Sequence, residues 1–197
     1  DDALSRAKQM VEDGADWLDI GGESTRPGAE PVAIDEEMNR VLPVIKAVRT
    51  ALPDVGISID TRRASVAKAA LDFGADLVND VSSLSDPNMV DVIIENKCPI
   101  CIMHMQGLPE NMQKNPSYGD VVSEVRERLD LTAQKLVNLG LNPDMIVTDP
   151  GIGFGKLLEH NLSLLGAGKE IVPRQDMPLM WGVSRKRMFA DLLGRSD

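Results

Sequence analysis

Polar side chains that can bind a ligand follow the short apolar segments of this sequence. Asp60, Asn79 and Asp149 supply carboxylate and amide groups, and Arg185 and Lys186 supply positive charge. A carboxylate accepts two adjacent N–H donors, whereas an amide both donates and accepts. Asp149 with Lys186 therefore suits a flat heterocycle with a 2-amino-pyrimidinone edge, whose two N–H groups face the carboxylate and whose carbonyl faces the lysine.

The segment "DIGGESTRPG" (19–28) suits an anion instead. It combines the hydroxyl of Thr25 with the guanidinium of Arg26 and three glycines, and Ser184 precedes a further predicted helix. Hydroxyls, arginine and backbone N–H groups all favour negative charge. We therefore expect these residues to contact anionic groups, and we expect Asp19 to help order the same edge of the fold.

The elements that would position these groups alternate along the chain. Apolar residues at helical spacing predict helices over 3–13, 35–51, 64–74, 86–97, 117–139, 160–171 and from 185 onward. Six short segments rich in Ile and Val predict strands, namely ADWLDIG, GISID, ADLVNDVS, PICIMHM, DMIVTD and PLMWGVS. This alternation is typical of a parallel sheet covered by helices.

Two parallel architectures fit this alternation, a doubly wound sheet and a (β/α)₈ barrel. No GxGxxG follows the first strand, and the polar groups at the carboxyl ends of most strands would converge on one mouth in a barrel. The sequence therefore predicts an α/β protein with a (β/α)₈ TIM-barrel fold, forming a single domain over residues 1–197. Because six of eight strands are present and helices stand at both ends, we expect the first and last strands to lie outside this chain.

Composition argues against several classes of partner. The chain has 197 residues, a formal net charge of −10 and only 3% aromatic residues, which argues against nucleic acid and anionic membranes as partners. The chain contains no apolar run of about 18 residues, so no membrane span is predicted. An anionic small-molecule substrate is compatible with this charge, because a local basic pocket can lie inside an acidic protein.

The cysteines and the strand histidine predict no special chemistry. Cys98 and Cys101 are three residues apart in one predicted strand, so they point to opposite faces and suit neither a disulfide nor a metal pair. His104 ends the same strand without a second histidine nearby, and we expect an ordinary polar or core residue.

Five motifs follow one another over nearly the whole chain, namely "DIGGESTRPGAEPV", "SIDT", "NDVSS", "DPGIGFGK" and "GVSRK". Together they resemble the dihydropteroate synthase family, the pterin-binding (β/α)₈ enzymes of folate synthesis. The resemblance implies a transferase that joins 6-hydroxymethyl-7,8-dihydropterin pyrophosphate to p-aminobenzoate, giving 7,8-dihydropteroate and pyrophosphate. It further implies Mg²⁺ as a cofactor, a cytoplasmic homodimer and a target of sulfonamides.

The resemblance also assigns roles to residues of this chain. It implies contacts to the pterin ring from Asp60, Asn79, Met103, Asp149, Phe154 and Lys186. It implies contacts to p-aminobenzoate or to anionic groups from Thr25, Arg26, Pro27, Phe154, Ser184 and Arg185. It implies catalytic roles for Thr25, Arg26 and Lys186. The asparagine that the family places near the metal would precede residue 1, so no metal ligand is expected within the chain.

Two other functions stay open at this point. A pterin-site barrel of the methyltetrahydrofolate:corrinoid methyltransferase type would share the pterin-binding carboxylates and amide. A non-catalytic relative would bind pterin without turnover. The arginine-bearing loop "STRPG" together with "GVSRKR" favours the synthase over the methyltransferase type, which has no use for a pyrophosphate loop or an aminobenzoate site. The non-catalytic relative stays open.

Overall fold

The computed structural model describes residues 2–26, 29–107 and 112–194, which form five strands and seven helices. The strands are β1 Trp17–Gly21, β2 Gly56–Asp60, β3 Leu77–Asp80, β4 Ile100–Met103 and β5 Ile146–Asp149. The helices are α1 Asp2–Glu12, α2 Ile34–Ala51, α3 Ala64–Asp72, α4 Met89–Asn96, α5 Val121–Asn138, α6 Leu158–Ala167 and α7 Arg187–Leu193. Two 3₁₀ turns, Pro143–Met145 and Gly168–Ile171, lie between them.

The strands follow one another in a single sheet in the order β1-β2-β3-β4-β5. Strand β2 pairs in parallel with both β1 and β3, and the register sets Asp19 opposite Ser58 and Asp60 opposite Asn79. The predicted βα alternation is confirmed for these strands. Because the side chains of paired residues on adjacent strands are neighbours, the register brings the polar strand ends together.

The predicted sixth strand, PLMWGVS, forms only one bridge. Leu179 pairs in parallel with Thr148, whose N–H donates to the carbonyl of Pro178 at 2.8 Å and whose carbonyl accepts from the N–H of Met180 at 2.9 Å. Within the described part of the chain this segment makes no further ladder, and a strand requires repeated pairing. The prediction of a full strand here was wrong.

The chain forms two compact units. The first contains α1–α4 and β1–β3, and its core includes Ile45 of α2, Ile57 and Ile59 of β2, and Ile93 of α4, all fully buried. The second contains β5 and α5–α7, and its core includes Leu129, Leu136, Ile146 and Leu164. Strand β4 begins in the first unit at Ile100 and continues in the second. Cys98 and Cys101 are both buried.

Two helices begin later than predicted. Asp120 Oδ1 accepts the N–H groups of Val122 and Ser123 at 3.1 and 3.3 Å, so α5 begins at Val121, later than predicted. Asp86, predicted to begin α4, instead accepts the N–H groups of Ala64 and Asn88, and that helix begins at Met89. Across the described ranges, no helix is long and apolar enough to cross a bilayer.

We expect Leu129→Ala to lower the free energy of unfolding by about 2–5 kcal/mol, because the substitution leaves a cavity in the core of the second unit. Leu129 is 1% exposed, whereas Leu131 on the same helix is 60% exposed. Leu131→Ala is the matched control and should change stability by about 0.5 kcal/mol or less. Urea unfolding measures both, and equal losses would contradict this assignment of the core.

Candidate active site

The ends of β1, β2 and β3 carry a hydrogen-bonded group centred on Asp19. Ser58 Oγ donates to Asp19 Oδ1 at 2.6 Å, and Asn79 Nδ2 donates to Asp19 Oδ2 at 3.1 Å. Burial raises the pKa of Asp19, and the hydrogen bonds from Ser58 and Asn79 oppose the rise. Because a carboxylate only accepts, it holds the NH₂ end of Asn79 and turns the amide oxygen toward other partners. The expectation that Asp19 orders this edge is consistent with this geometry.

Asp60, opposite Asn79, has an unusual protonation state. Burial raises its pKa to about 8. Four further carboxylates in the same unit also raise it, namely Asp19, Glu37, Asp80 and Glu23. Gly21 leaves the space that Asp60 occupies, because a Cβ there would lie 3.2 Å from Asp60 Cβ. At pH 7 the carboxyl of Asp60 therefore keeps its proton and can donate a hydrogen bond.

A network of charged and hydroxyl side chains follows β1 and β2. Its members are Glu23, Glu37, Thr61, Arg62 and Arg63. Thr61 Oγ1 donates to Glu37 Oε1 at 2.7 Å, and Arg63 Nη1 pairs with Glu37 Oε2. Arg62 Nε donates to Glu23 Oε1 at 2.8 Å, and Arg63 Nη2 donates to Glu23 Oε2 at 2.9 Å. Glu37 is 1% exposed, and a carboxylate so buried needs such partners. Sequence reasoning assigned no role to these five residues.

In the second unit, Asp149 ends β5 as a buried carboxylate that is 5% exposed. Its Oδ1 accepts the N–H of Gly151 at 2.8 Å. Burial raises the pKa of Asp149, while this hydrogen bond and the charges of Lys186 and Lys156 oppose the rise. A Cβ on Gly182 would lie 3.4 Å from Asp149 Oδ2, so the glycine keeps the space beside that oxygen open.

Lys186 and Phe154 lie against each other. The ammonium Nζ is 4.1 Å from the centre of the Phe154 ring, a cation–π contact. A Cβ on Gly153 would be 3.2 Å from Lys186 Cδ, so the lysine stem runs close to this loop. Burial lowers the pKa of Lys186, and the charge of Asp149 opposes the shift. Two residues that the sequence predicted as neighbours of one ligand are thus in direct contact.

Lys156, which sequence reasoning missed, is the most enclosed cation of this group. Its Nζ lies 3.0–3.1 Å from four acceptors: His104 Nδ1 and the carbonyl oxygens of His104, Gly151 and Phe154. Burial lowers the pKa of Lys156 to about 7, opposed by the charge of Asp149. The only sequence signal was a single lysine closing the glycine-rich "DPGIGFGK".

His104 is buried at 7% exposure, as the sequence predicted for an ordinary core or polar histidine. Burial, and then the charge of Lys156, lower the pKa of His104 to about 3. The imidazole is therefore neutral at pH 7. It serves as a partner of Lys156 and not as an isolated core residue.

The predicted anion-binding residues are more exposed. Thr25 is half-buried and Arg26 is exposed, while Ser184 and Arg185 are exposed just before α7. Arg185 adopts a left-handed backbone conformation with φ of 53°. Pro27 lies outside the described residues.

The predicted pterin contacts fall into two groups. Asp60 and Asn79 lie on paired strands of the first unit. Met103, Asp149, Phe154 and Lys186 belong to the second unit. Met103 is buried at the end of β4, and its Cγ would be 3.2 Å from a Cβ on Gly151.

No resident metal site is formed by residues 2–26, 29–107 and 112–194. Within these ranges no group of three or more histidine, cysteine, aspartate or glutamate side chains could hold an ion. Mg²⁺ is usually held by one or two carboxylates together with substrate phosphates, so no chemical step is assigned to a resident ion.

Comparison with known proteins gives consistent matches. The family described as pterin binding enzyme matches residues 1–197. Dihydropteroate synthase of Neisseria meningitidis serogroup C is 46% identical over 197 residues, which cover 99% of this chain and 69% of that protein. This chain thus spans about two thirds of the length of that relative.

Solved structures agree in fold. The Yersinia pestis dihydropteroate synthase with a sulfonamide drug superposes with a TM-score of 0.92 at 40% identity, covering 97% of this chain and 69% of that one. The Burkholderia cenocepacia dihydropteroate synthase complexed with 7,8-dihydropteroate gives 0.91 at 45% identity, covering 99% and 71%. The predicted α/β TIM-barrel class is confirmed, with part of the barrel present in this chain.

We expect Gly151→Ala to lower the free energy of unfolding by about 2–4 kcal/mol. Gly151 has a φ of 68°, and a Cβ there would lie 1.9 Å from the carbonyl oxygen of His104, so the loop must shift. Gly166→Ala in α6 is the matched control, because nothing lies within 4 Å of its Cβ. The control should hold or raise stability, by about 0.5–1 kcal/mol. Urea unfolding of both variants is the measurement, and an unperturbed Gly151→Ala protein would refute the geometry.

We expect Asp60→Asn to flatten the pH dependence of stability between about pH 4 and pH 8. Because the pKa of Asp60 is about 8 in the folded state and about 3.9 when unfolded, the folded protein binds the extra proton. This contribution is complete at low pH and is lost as pH rises through 8. Urea unfolding at pH 5 and pH 8 measures the slope. Exposed Asp54→Asn is the control, and an unchanged slope for Asp60→Asn would show that Asp60 is already ionised.

Proposed function

Because this chain belongs to the dihydropteroate synthase family of pterin-binding enzymes, we propose which of its residues perform the family's reaction. The function is a transferase step of folate biosynthesis, in which 6-hydroxymethyl-7,8-dihydropterin pyrophosphate and p-aminobenzoate give 7,8-dihydropteroate and pyrophosphate.

The assignment of the pterin-binding residues depends mainly on the geometry of Asp149. It is a buried carboxylate with one oxygen bonded to the Gly151 N–H and with open space beside the other, next to Gly182. A buried carboxylate is stable only with hydrogen-bond donors. The 2-amino group and the adjacent ring N–H of a pterin are two such donors in the spacing of one carboxylate. We assign Asp149 to this edge of the ring.

Lys186 is proposed to bind the carbonyl of the same ring. Its ammonium is held above Phe154, and its lowered pKa reflects a partly desolvated charge that a carbonyl acceptor would stabilise. Phe154 and buried Met103 then provide apolar surface for the flat ring. The cation–π contact supports this assignment because it fixes the lysine beside an aromatic face.

Asp60 and Asn79 are proposed as the other polar contacts to pterin. With its pKa near 8, Asp60 offers an O–H donor at neutral pH and an acceptor oxygen. Asn79 is held by Asp19 through its NH₂ end, so it offers an amide oxygen in a fixed direction. A heterocycle with alternating donors and acceptors complements this pair.

Thr25, Arg26 and Pro27 are proposed to contact the pyrophosphate and to border p-aminobenzoate. A guanidinium and a hydroxyl are suitable donors to both anions. Ser184 and Arg185 are proposed to bind the carboxylate of p-aminobenzoate, and their exposure leaves them accessible to a substrate from solution.

In the reaction, the bond between the pterin methylene carbon and the pyrophosphate oxygen breaks, and the aminobenzoate nitrogen forms the new C–N bond and loses a proton. Pyrophosphate leaves with the bonding electrons, so Arg26 acts by stabilising the developing negative charge. The ring delocalises positive charge at the methylene while Asp149 and Lys186 hold it in place. A neutral aromatic amine needs positioning more than a strong base for this attack.

Further properties of the protein are proposed from the family resemblance. Mg²⁺ is proposed to accompany the pyrophosphate, whose charge a divalent ion would offset. A single domain, a homodimer and a cytoplasmic location are proposed as well. The net charge of −10 supports small molecules, and not nucleic acid or anionic membranes, as partners.

Asp149→Ala tests the assignment directly. We expect pterin affinity to fall about 100-fold or more, because two hydrogen bonds to a charged acceptor are lost. Pyrophosphate release in the presence of both substrates and Mg²⁺ should fall with it, and a sulfonamide should inhibit release by the unaltered protein. Isothermal calorimetry with 6-hydroxymethylpterin and a coupled pyrophosphate assay measure these effects.

Asp144→Ala is the matched control, because this exposed aspartate lies just before the opposite end of β5. It should leave affinity and turnover unchanged. Unaltered pterin affinity in Asp149→Ala would refute the role of Asp149. Pterin binding without any pyrophosphate release by the unaltered protein would refute the transferase function.

A further inference from the structure

Glu23 and Arg63 bind both backbone polar groups of Val32. The Val32 N–H donates to Glu23 Oε2 at 2.7 Å, and the Val32 carbonyl accepts from Arg63 Nη2 at 2.5 Å. The same Arg63 nitrogen donates to Glu23 Oε2 at 2.9 Å. Residues 23 and 32 are therefore joined side by side, although nine positions separate them. The segment between them carries Thr25 and Arg26.

Further contacts attach the beginning of this segment, at Gly22 and Glu23, to other residues of the first unit. Arg62 pairs with Glu23, and Arg40 Nη1 donates to the carbonyl of Gly22 at 3.0 Å. A Cβ on Gly22 would lie 2.9 Å from Glu37 Cγ, so this backbone packs directly on α2. The chain thus leaves β1 along a fixed path.

The ionised state of Glu23 favours a stable attachment between residues 23 and 32. Burial alone would raise its pKa, but the Val32 hydrogen bond and the charges of Arg62 and Arg63 outweigh that effect and place the pKa below the usual value. Glu23 is therefore ionised at neutral pH. Its two oxygens then act only as acceptors, for the Val32 N–H and for the guanidinium groups of Arg62 and Arg63.

Arg63 is suited to this position by the shape of its guanidinium. It reaches Glu37, Glu23 and the Val32 carbonyl at once, and its side chain is only 17% exposed. A planar fork can serve three acceptors in fixed directions, whereas a lysine ammonium is a single point charge on a flexible stem. Glu37, in turn, is oriented by Thr61.

We propose that Arg63, acting through Glu23 and Glu37, is a positioning residue that fixes both ends of the segment carrying Thr25 and Arg26. In this role it governs the expulsion of pyrophosphate and the attack of p-aminobenzoate, and it contributes little to pterin affinity. The inference rests on the proposed function, which assigns Thr25 and Arg26 to those steps. It gives a role to Arg63, which lies two residues beyond the "SIDT" motif.

Arg63→Met tests the proposal by separating turnover from binding. We expect kcat for pyrophosphate release to fall about 100-fold, because a displacement of about 1 Å in a catalytic group has that effect. The dissociation constant for 6-hydroxymethylpterin should stay within about twofold. Hydrogen exchange of the Val32 amide should become at least tenfold faster, since its acceptor Glu23 loses the guanidinium that holds it.

A double variant guards against loss of folding. Arg63→Met alone leaves Glu37 as a buried charge without its guanidinium, so a double variant, Arg63→Met with Glu37→Gln, removes both charges together. It should fold, as judged by circular dichroism and thermal unfolding, and still show the loss of kcat. Arg63→Lys should recover only part of the turnover. Arg6→Met, an exposed arginine of α1, is the matched control and should change nothing.

The measured kcat and pterin affinity of the variants decide between the proposal and its alternatives. Reduced kcat with retained pterin affinity in the folded double variant supports the proposal. Unchanged kcat, or equal loss of pterin affinity and kcat, overturns it. Failure of the transferase function itself is recognised separately, because the unaltered protein would then release no pyrophosphate.

Discussion

A charged side chain withdrawn from water must receive a hydrogen bond or an opposite charge from the protein, and this requirement orders both units of the chain. Glu37 receives Thr61 and Arg63. Lys156 receives four acceptors from two segments of backbone and one imidazole. At Asp60, burial and then the surrounding carboxylates raise the pKa to about 8, so that group keeps its proton at neutral pH and can act as a donor toward a ligand.

Much of this arrangement could be predicted from local pattern. Polar residues recur where short apolar strands end, and in a parallel sheet those ends lie at one edge, so Asp60 and Asn79 were expected to be neighbours and are opposite each other in the register. The contact of Lys186 with Phe154 agrees with the prediction from their motifs that both residues contact the same ligand. Helix bounds were harder to predict: α4 begins at Met89, three residues after Asp86, whose side chain accepts the N–H of Ala64.

Other features depend on distances that no local pattern contains. Arg63 and Glu23 are 40 positions apart, and a pair of adjacent arginines gives no sign of which carboxylate each will meet. Lys156 reaches His104 across 52 positions, and its acceptors are mostly backbone oxygens that every residue possesses. The segment PLMWGVS has the composition of a strand, but composition does not specify a pairing partner, and only Leu179 forms a bridge.

The close approach at Gly151 has a consequence for drug resistance. No side chain fits there, because its first atom would overlap the His104 carbonyl, and the same loop supplies an N–H to Asp149 and an oxygen to Lys156. Selection by an inhibitor acts through substitutions that the protein survives. A compound that contacts the backbone of this loop would therefore meet a surface that point mutation has little freedom to reshape, unlike the exposed side chains of Arg26, Ser184 and Arg185.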